Sequence, residues 1–256
     1  MIKDILDHNH LRRKYNYMIN NKSEILIIGH KGASKTEPEN SLRAFKKAID
    51  LKADFIELDV QFSKDKEIVV FHDYDLKRLT GEERYINQMT VKELKQYNIG
   101  EGETIPTLKE VINLTHGKIG LQVELKEVGT GKVVIDLLRD ANLIDSAIIS
   151  SFIHNELLAI KEIEPNLRLG ALISEIIAEP SDLKKATKRI IKKKLFAVHP
   201  HFKALNRDLV EYAHSNNLNV NVWTVNEKED IQRMIDIGVD GIISDDIPLV
   251  KELLGR

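Results

Sequence analysis

From residue 25 onward the chain alternates two hydrophobic rhythms. Short runs dense in Ile, Val and Leu, such as Ile25–Gly29 and Gly241–Ser244, are almost continuously apolar, as strands buried on both faces are. Similar runs at Asp54–Val60, Ile119–Leu125, Ala147–Ser151, Arg168–Ile173, Leu195–Val198 and Asn219–Val225 bring the candidate strands to eight. Between them apolar residues recur at three- and four-residue intervals, the mark of a helix with one buried face. Ser41–Lys52, Thr107–Thr115, Lys132–Ala141, Asn155–Ile163, Leu183–Lys194, Asn206–Ser215 and Glu227–Ile237 carry that rhythm, and 248–254 adds a closing helix. Strand–helix alternation predicts parallel pairing through right-handed crossovers. Eight such units in roughly 230 residues predict an α/β fold, a closed (β/α)8 TIM barrel, with a doubly wound open sheet as the alternative.

One stretch breaks the alternation. Gln61–Asp73 (QFSKDKEIVVFHD) is a polar turn followed by a short strand and predicts a hairpin returning from the second barrel strand. Residues 74–106 follow as an insertion, and one of that length inside a compact domain is usually functional or a small cap. The organisation expected is therefore an N-terminal helical extension over residues 1–24 and one barrel over 25–256. Asn40, Asn206 and Asn226 stand where helix N-caps are expected.

Composition narrows the chemistry. There is no cysteine, which excludes disulfides, thiolate metal sites and a thiol nucleophile. Basic and acidic residues number 38 and 40, so no bulk charge draws the chain to nucleic acid. There is no apolar run of membrane-spanning length, and the N-terminal segment lacks the apolar centre of a secretory signal, which predicts a cytoplasmic protein. The segment Leu183–Leu195 holds seven basic residues. It reads as a solvated outer helix face, with weak contact to anionic membrane surfaces as the sharper reading.

In a barrel of this kind, working side chains project from the C-terminal ends of the strands. Charged residues at those places are conspicuous here. Residues two apart on a strand share a face, so Glu57 and Asp59 point together, opposite Leu58 and Val60. Two adjacent carboxylates resist joint ionisation unless a cation separates them. Glu124 on the next strand supplies a third oxygen donor, and Lys126 shares its face. Three carboxylates without cysteine favour a hard cation, Mg²⁺ or Ca²⁺. His30 ends the first strand, and a two-residue turn at Asp65-Lys66 would set His72 opposite Asp59. Imidazoles titrate near neutral pH and suit general acid–base work, while a metal and Lys126 would neutralise phosphate oxygens. His8, His10, His116, His154 and His214 read as hydrogen-bonded packing residues, and His199 and His201 as loop-structural ones, with substrate contact as the alternative.

These residues sit within a wider pattern. His30-Lys31-Gly32, Pro38-Glu39-Asn40-Ser41, Ile56-Glu57-Leu58-Asp59-Val60, Phe71-His72-Asp73, Glu124-Leu125-Lys126, Trp223-Thr224-Val225-Asn226 and Gly238–Asp245 resemble, in order and spacing, the glycerophosphodiester phosphodiesterase family of phospholipase C-like phosphodiesterases. The resemblance implies a TIM barrel that hydrolyses glycerophosphodiesters to an alcohol and sn-glycerol 3-phosphate. It implies Glu57, Asp59 and Glu124 as ligands of one divalent cation, His30 and His72 as the acid–base pair, and Lys31 and Lys126 as phosphate contacts. Trp223 would line the mouth beside the substrate, a core aromatic being the competing reading. The chain departs from the family in three places: Lys31 replaces an arginine, Lys52 a glycine that ends a helix, and Lys66 the glycine of an Asp-Gly turn. A lysophospholipase D-type lipid phosphodiesterase and a non-catalytic phosphate-ligand-binding barrel are the alternative functions. The partner implied is a small-molecule substrate.

Overall fold

The computed structural model of the chain describes residues 24–174 and 179–256. The expected helical extension therefore lies, but for Glu24, outside the described residues. Eight apolar runs form parallel strands: β1 (Leu26–Gly29), β2 (Phe55–Phe62), β4 (Gly120–Leu125), β5 (Ala147–Ser151), β6 (Arg168–Ile173), β7 (Ala197–Pro200), β8 (Asn219–Val222) and β9 (Gly241–Ser244). β3 (Ile68–Val70) lies antiparallel on β2. β1 pairs with both β2 and β9, which closes the ring and excludes the open-sheet alternative.

Period-two alternation sorts the side chains. Leu58, Val60, Val123 and Leu125 face outward into the layer beneath the helices, which is the main core. Leu26, Ile28, Phe55, Ile148 and Ile243 fill the barrel interior. The alternate inward positions above them carry the charged residues. Asp54, fully buried, ties the ring at its base: it accepts from the Ile27 amide at 3.0 Å and from both terminal nitrogens of Arg256 at 2.9 and 3.0 Å.

Ten α-helices are described: α1 (Leu42–Asp50), α2 (Lys77–Thr80), α3 (Val91–Leu94), α4 (Leu108–Thr115), α5 (Thr130–Asp140), α6 (His154–Ile163), α7 (Pro180–Lys192), α8 (Arg207–His214), α9 (Lys228–Ile237) and α10 (Ile247–Leu253). Asn206 caps α8 as expected, accepting from the Leu209 amide. The other two expected caps are corrected. Ser41, not Asn40, caps α1 by accepting from the Ala44 amide. Glu227 precedes α9 without a side-chain cap bond. Asn40 and Asn226 are used elsewhere, as described below. Lys52 takes up the left-handed conformation, φ 58°, just past α1, the place where a glycine relieves the Cβ clash.

The hairpin register also differs from expectation. Val60 pairs with Val70 and Phe62 with Ile68, one residue away from the register of a two-residue turn. Without glycine, the turn becomes a three-residue loop, Lys64–Lys66, closed by the Ser63 amide donating to the Glu67 carbonyl, with Lys66 left-handed at φ 64°. Asp59 therefore bonds Phe71 through the backbone, and His72 enters the site from beyond the strand's end. The insertion that follows buries Leu76, Ile86, Met89, Leu94 and Ile105 in an apolar cluster with Val69 and Phe71 of the hairpin.

Candidate active site

A cavity of about 160 Å³ opens at the C-terminal ends of the barrel strands. His30, Lys31, Glu57, Asp59, His72, Glu124, Lys126 and Trp223 all line it, so the structure brings the eight residues singled out in the sequence to one place. His199 and His201 are not among its lining residues. His199 is wholly buried below, between the side chains of Gln122 and Asn221, and His201 packs edge-on against Trp223 at 5.3 Å.

The acidic floor follows from strand geometry. β2 and β4 are in register with Asp59 opposite Glu124, so two inward carboxylates meet across neighbouring strands and Glu57 lies one inward position below. Oxygens of the three lie within 4.8 Å of one another. All three are buried. Burial, with Asp59 and Glu124 beside it, pushes the Glu57 carboxyl well above the usual carboxylate range. Burial and Asp59 push Glu124 up to about 7. For Asp59 burial acts in the same direction, but Lys126, His72 and Lys31 outweigh it and hold the carboxyl below its ordinary value. Asn40 supports that state: its side-chain N–H donates to Asp59 Oδ2 at 2.9 Å. A cluster of this kind calls for positive charge. Lys126 Nζ answers part of that call, at 3.0 Å from Glu124 and 3.4 Å from Asp59. Three buried, mutually repelling oxygen donors fit a hard divalent cation and leave no softer ligand for a thiophilic one.

Each imidazole is held by a carboxylate that sequence reading missed. His30 Nδ1–H donates to Asp245 Oδ1 at 2.7 Å, and His72 Nδ1–H donates to Asp73 Oδ1 at 2.6 Å. Both rings thus keep Nε2 as the nitrogen able to exchange a proton. Asp245 is fixed by Ser34 Oγ at 2.8 Å and by the Asn226 side chain at 2.5 Å. Burial would raise its pKa, but the bonds from His30, Ser34 and Asn226, that from His30 foremost, hold it down at about 2. It therefore stays an acceptor. Asp73 has the weaker sequence signal of adjacency to His72; for Asp245, 215 residues from His30, no local signal exists. Burial holds the His72 imidazole below its ordinary value despite the attraction of Asp59.

Lys31 sits in the left-handed region at φ 54°, which turns its amide onto Glu57 Oε2 at 3.0 Å and its ammonium onto Glu39 at 3.1 Å. Gly32 lets this turn pass close to α1: a Cβ there would meet the Ala44 carbonyl carbon at 2.8 Å. Trp223 follows β8 at the cavity wall, its indole N–H donating to the His199 carbonyl at 2.8 Å and its ring 5.6 Å from Phe152. It is half-buried, so it both packs and faces the cavity.

A parallel barrel whose mouth gathers an acidic triad, two oriented imidazoles and two ammonium groups is built as the barrel phosphodiesterases are. The sequence profile of the glycerophosphoryl diester phosphodiesterase family matches residues 30–249, and the chain belongs to that family. A glycerophosphodiester phosphodiesterase of Caldanaerobacter subterraneus is 38% identical over 86% of this chain and 94% of its own. The solved glycerophosphodiester phosphodiesterase of Thermotoga maritima is 31% identical, with a TM-score of 0.78 over 90% of this chain and 98% of that one. A phosphodiesterase from Oleispira antarctica, solved with the product sn-glycerol-3-phosphate, is 26% identical and covers 90% of this chain and 97% of its own, with a TM-score of 0.80. Among the described residues no helix is long and apolar enough to cross a membrane.

Proposed function

We propose that this protein hydrolyses glycerophosphodiesters to sn-glycerol 3-phosphate and a free alcohol, with one divalent cation, Mg²⁺ or Ca²⁺, held by Glu57, Asp59 and Glu124. The observation that carries the reading is the pair of carboxylate-anchored imidazoles, His30 and His72, lining one small cavity with that triad. The family relationship and the product complex of the Oleispira relative support the substrate class.

In the chemistry proposed, Lys31 and Lys126 meet the phosphate oxygens. A bound divalent cation would add positive charge against the same group and lower the cost of the charge that builds there. One imidazole takes the proton of the attacking oxygen through Nε2 as that oxygen bonds to phosphorus. The phosphorus–oxygen bond to the alcohol breaks, and the other imidazole protonates the departing oxygen. One water is consumed overall. Asp73 and Asp245 keep each ring in the tautomer this exchange needs. Trp223 and Phe152 form an apolar wall on which the alcohol portion packs.

A second reading, a lipid substrate of the lysophospholipase D type, gains support from apolar side chains beyond the ends of β3, β4 and β5. There Tyr74 is 55%, Val128 72% and Phe152 43% exposed. The test is turnover of glycerophosphocholine and of lysophosphatidylcholine, each with EDTA and with Mg²⁺ or Ca²⁺ restored. Preferred, cation-dependent turnover of glycerophosphocholine is expected. Preference for the lysolipid would favour the second reading. No turnover of either with either metal would leave a phosphate-binding barrel and overturn the enzymatic proposal.

A further inference from the structure

The insertion carries a residue that touches neither the cavity nor the acidic triad, yet ends two chains of hydrogen bonds leading into the site. Arg78, on α2, donates through Nε to Asp73 Oδ2 at 2.6 Å. Its two terminal nitrogens grip both oxygens of Glu39, at 2.9 and 2.6 Å. Asp73 accepts from His72 Nδ1 at 2.6 Å, and Glu39 accepts from Lys31 Nζ at 3.1 Å. One planar guanidinium therefore orients two carboxylates, and each carboxylate orients a different cavity residue.

We propose that Arg78 is a positioning residue, setting the His72 ring through Asp73 and the Lys31 ammonium through Glu39; this rests on the function proposed above. The physical case has three parts. First, only a rigid fork of N–H donors satisfies two carboxylates in this geometry; a lysine ammonium is a point charge and engages one well. Second, Glu39 released from Arg78 would hold Lys31 as its sole strong cation and draw it away from phosphate. Asp73 released from Arg78 would lose the contact that fixes its plane, and with it the direction of the His72 ring. Third, the insertion does not depend on this ion network to stay folded, because Leu76, Ile86, Met89 and Leu94 are buried in an apolar cluster with Phe71 of the hairpin.

The experiment compares Arg78→Ala, Arg78→Lys and His72→Ala in the full chain with Mg²⁺ or Ca²⁺ and glycerophosphocholine. Arg78→Ala should lose roughly 10–100-fold in kcat, the range seen when a partner orienting a site histidine is removed. KM should rise as well through Lys31, and the thermal midpoint should stay near that of the parent. Arg78→Lys should recover little of the loss. Added guanidinium at millimolar level should restore part of kcat to Arg78→Ala and none to His72→Ala, a response that a merely structural residue would not give. Combining Arg78→Ala with Asp73→Asn should cost no more in kcat than the worse single change. An Arg78→Ala kcat within about twofold of the parent overturns the inference, as does full recovery in Arg78→Lys. If Arg78→Ala fails to fold, Arg78→Lys decides alone, and parental kcat there sinks the idea. The two readings separate cleanly. Parental turnover in His72→Ala would remove the acid–base assignment itself, whereas a slow His72→Ala beside a fast Arg78→Ala would remove only the role of Arg78.

Discussion

Acid should destabilise this barrel through a histidine that takes no part in the chemistry. His199 on β7 is wholly buried inside the barrel, its ring nitrogens against the side-chain amides of Gln122 at 3.4 Å and Asn221 at 3.2 Å. Neither neighbour carries charge, and burial lowers the imidazole pKa from 6.5 to about 3. In the unfolded chain the same ring takes up a proton below its ordinary value. Between those two values the unfolded state holds the extra proton, so stability falls as pH falls through the window, by about 1.4 kcal/mol per pH unit. At pH 7.5 the effect is negligible; by pH 5, some 1.5 units into the window, it amounts to about 2 kcal/mol. His199→Gln keeps a neutral polar side chain between the same amides and cannot titrate. Urea unfolding of both proteins at the two pH values measures the difference of differences, which cancels the other titrating groups. With m near 2 kcal/mol/M, the parent midpoint should drop by about 1 M more than that of the variant. Equal pH dependence in the two proteins would refute the claim that His199 is buried uncharged.

Three further outcomes are expected. Glu57→Gln should weaken Mg²⁺ or Ca²⁺ binding at neutral pH by removing a charged oxygen donor, and an unchanged calorimetric titration would contradict its assignment as a ligand. Lys52→Gly should stabilise the protein by roughly 0.5–1 kcal/mol, because it removes a left-handed lysine at φ 58° and returns some of the gain through glycine's freer unfolded chain; thermal melting reads this out, and a lower midpoint would count against it. Asp245→Asn should cost roughly 10–100-fold in kcat while leaving the fold and metal affinity intact, since the amide no longer selects the Nδ1–H tautomer of His30; parental kcat would remove Asp245 from the apparatus.

Much of this site is visible before any coordinates. Glu57, Asp59, Glu124 and Lys126 stand out because a strand places every second side chain on one face, and a charge on the inward face of a barrel needs a reason. Asn40 and Asn226 mislead for a physical cause: short amides before helices are good N-caps, yet here one braces Asp59 and the other Asp245. A two-residue turn would set His72 opposite Asp59, but the hairpin does not have that register. It reaches the cavity because β3 stops at Val70 and the chain turns inward beyond it.

Local backbone geometry accounts for what the amino-acid order determines unaided: eight strands, their inward faces, the helices between them and an acidic cluster at one end. Period and propensity act over a few residues and survive any global arrangement. Only closure of the ring, β1 against β9, sets Asp245 beside His30, and only packing of the insertion sets Arg78 on Glu39 and Asp73. Those contacts join residues from 5 to 215 positions apart. Their geometry is decided by how whole elements pack, which fixes the direction of a side chain even where its partner is near in sequence.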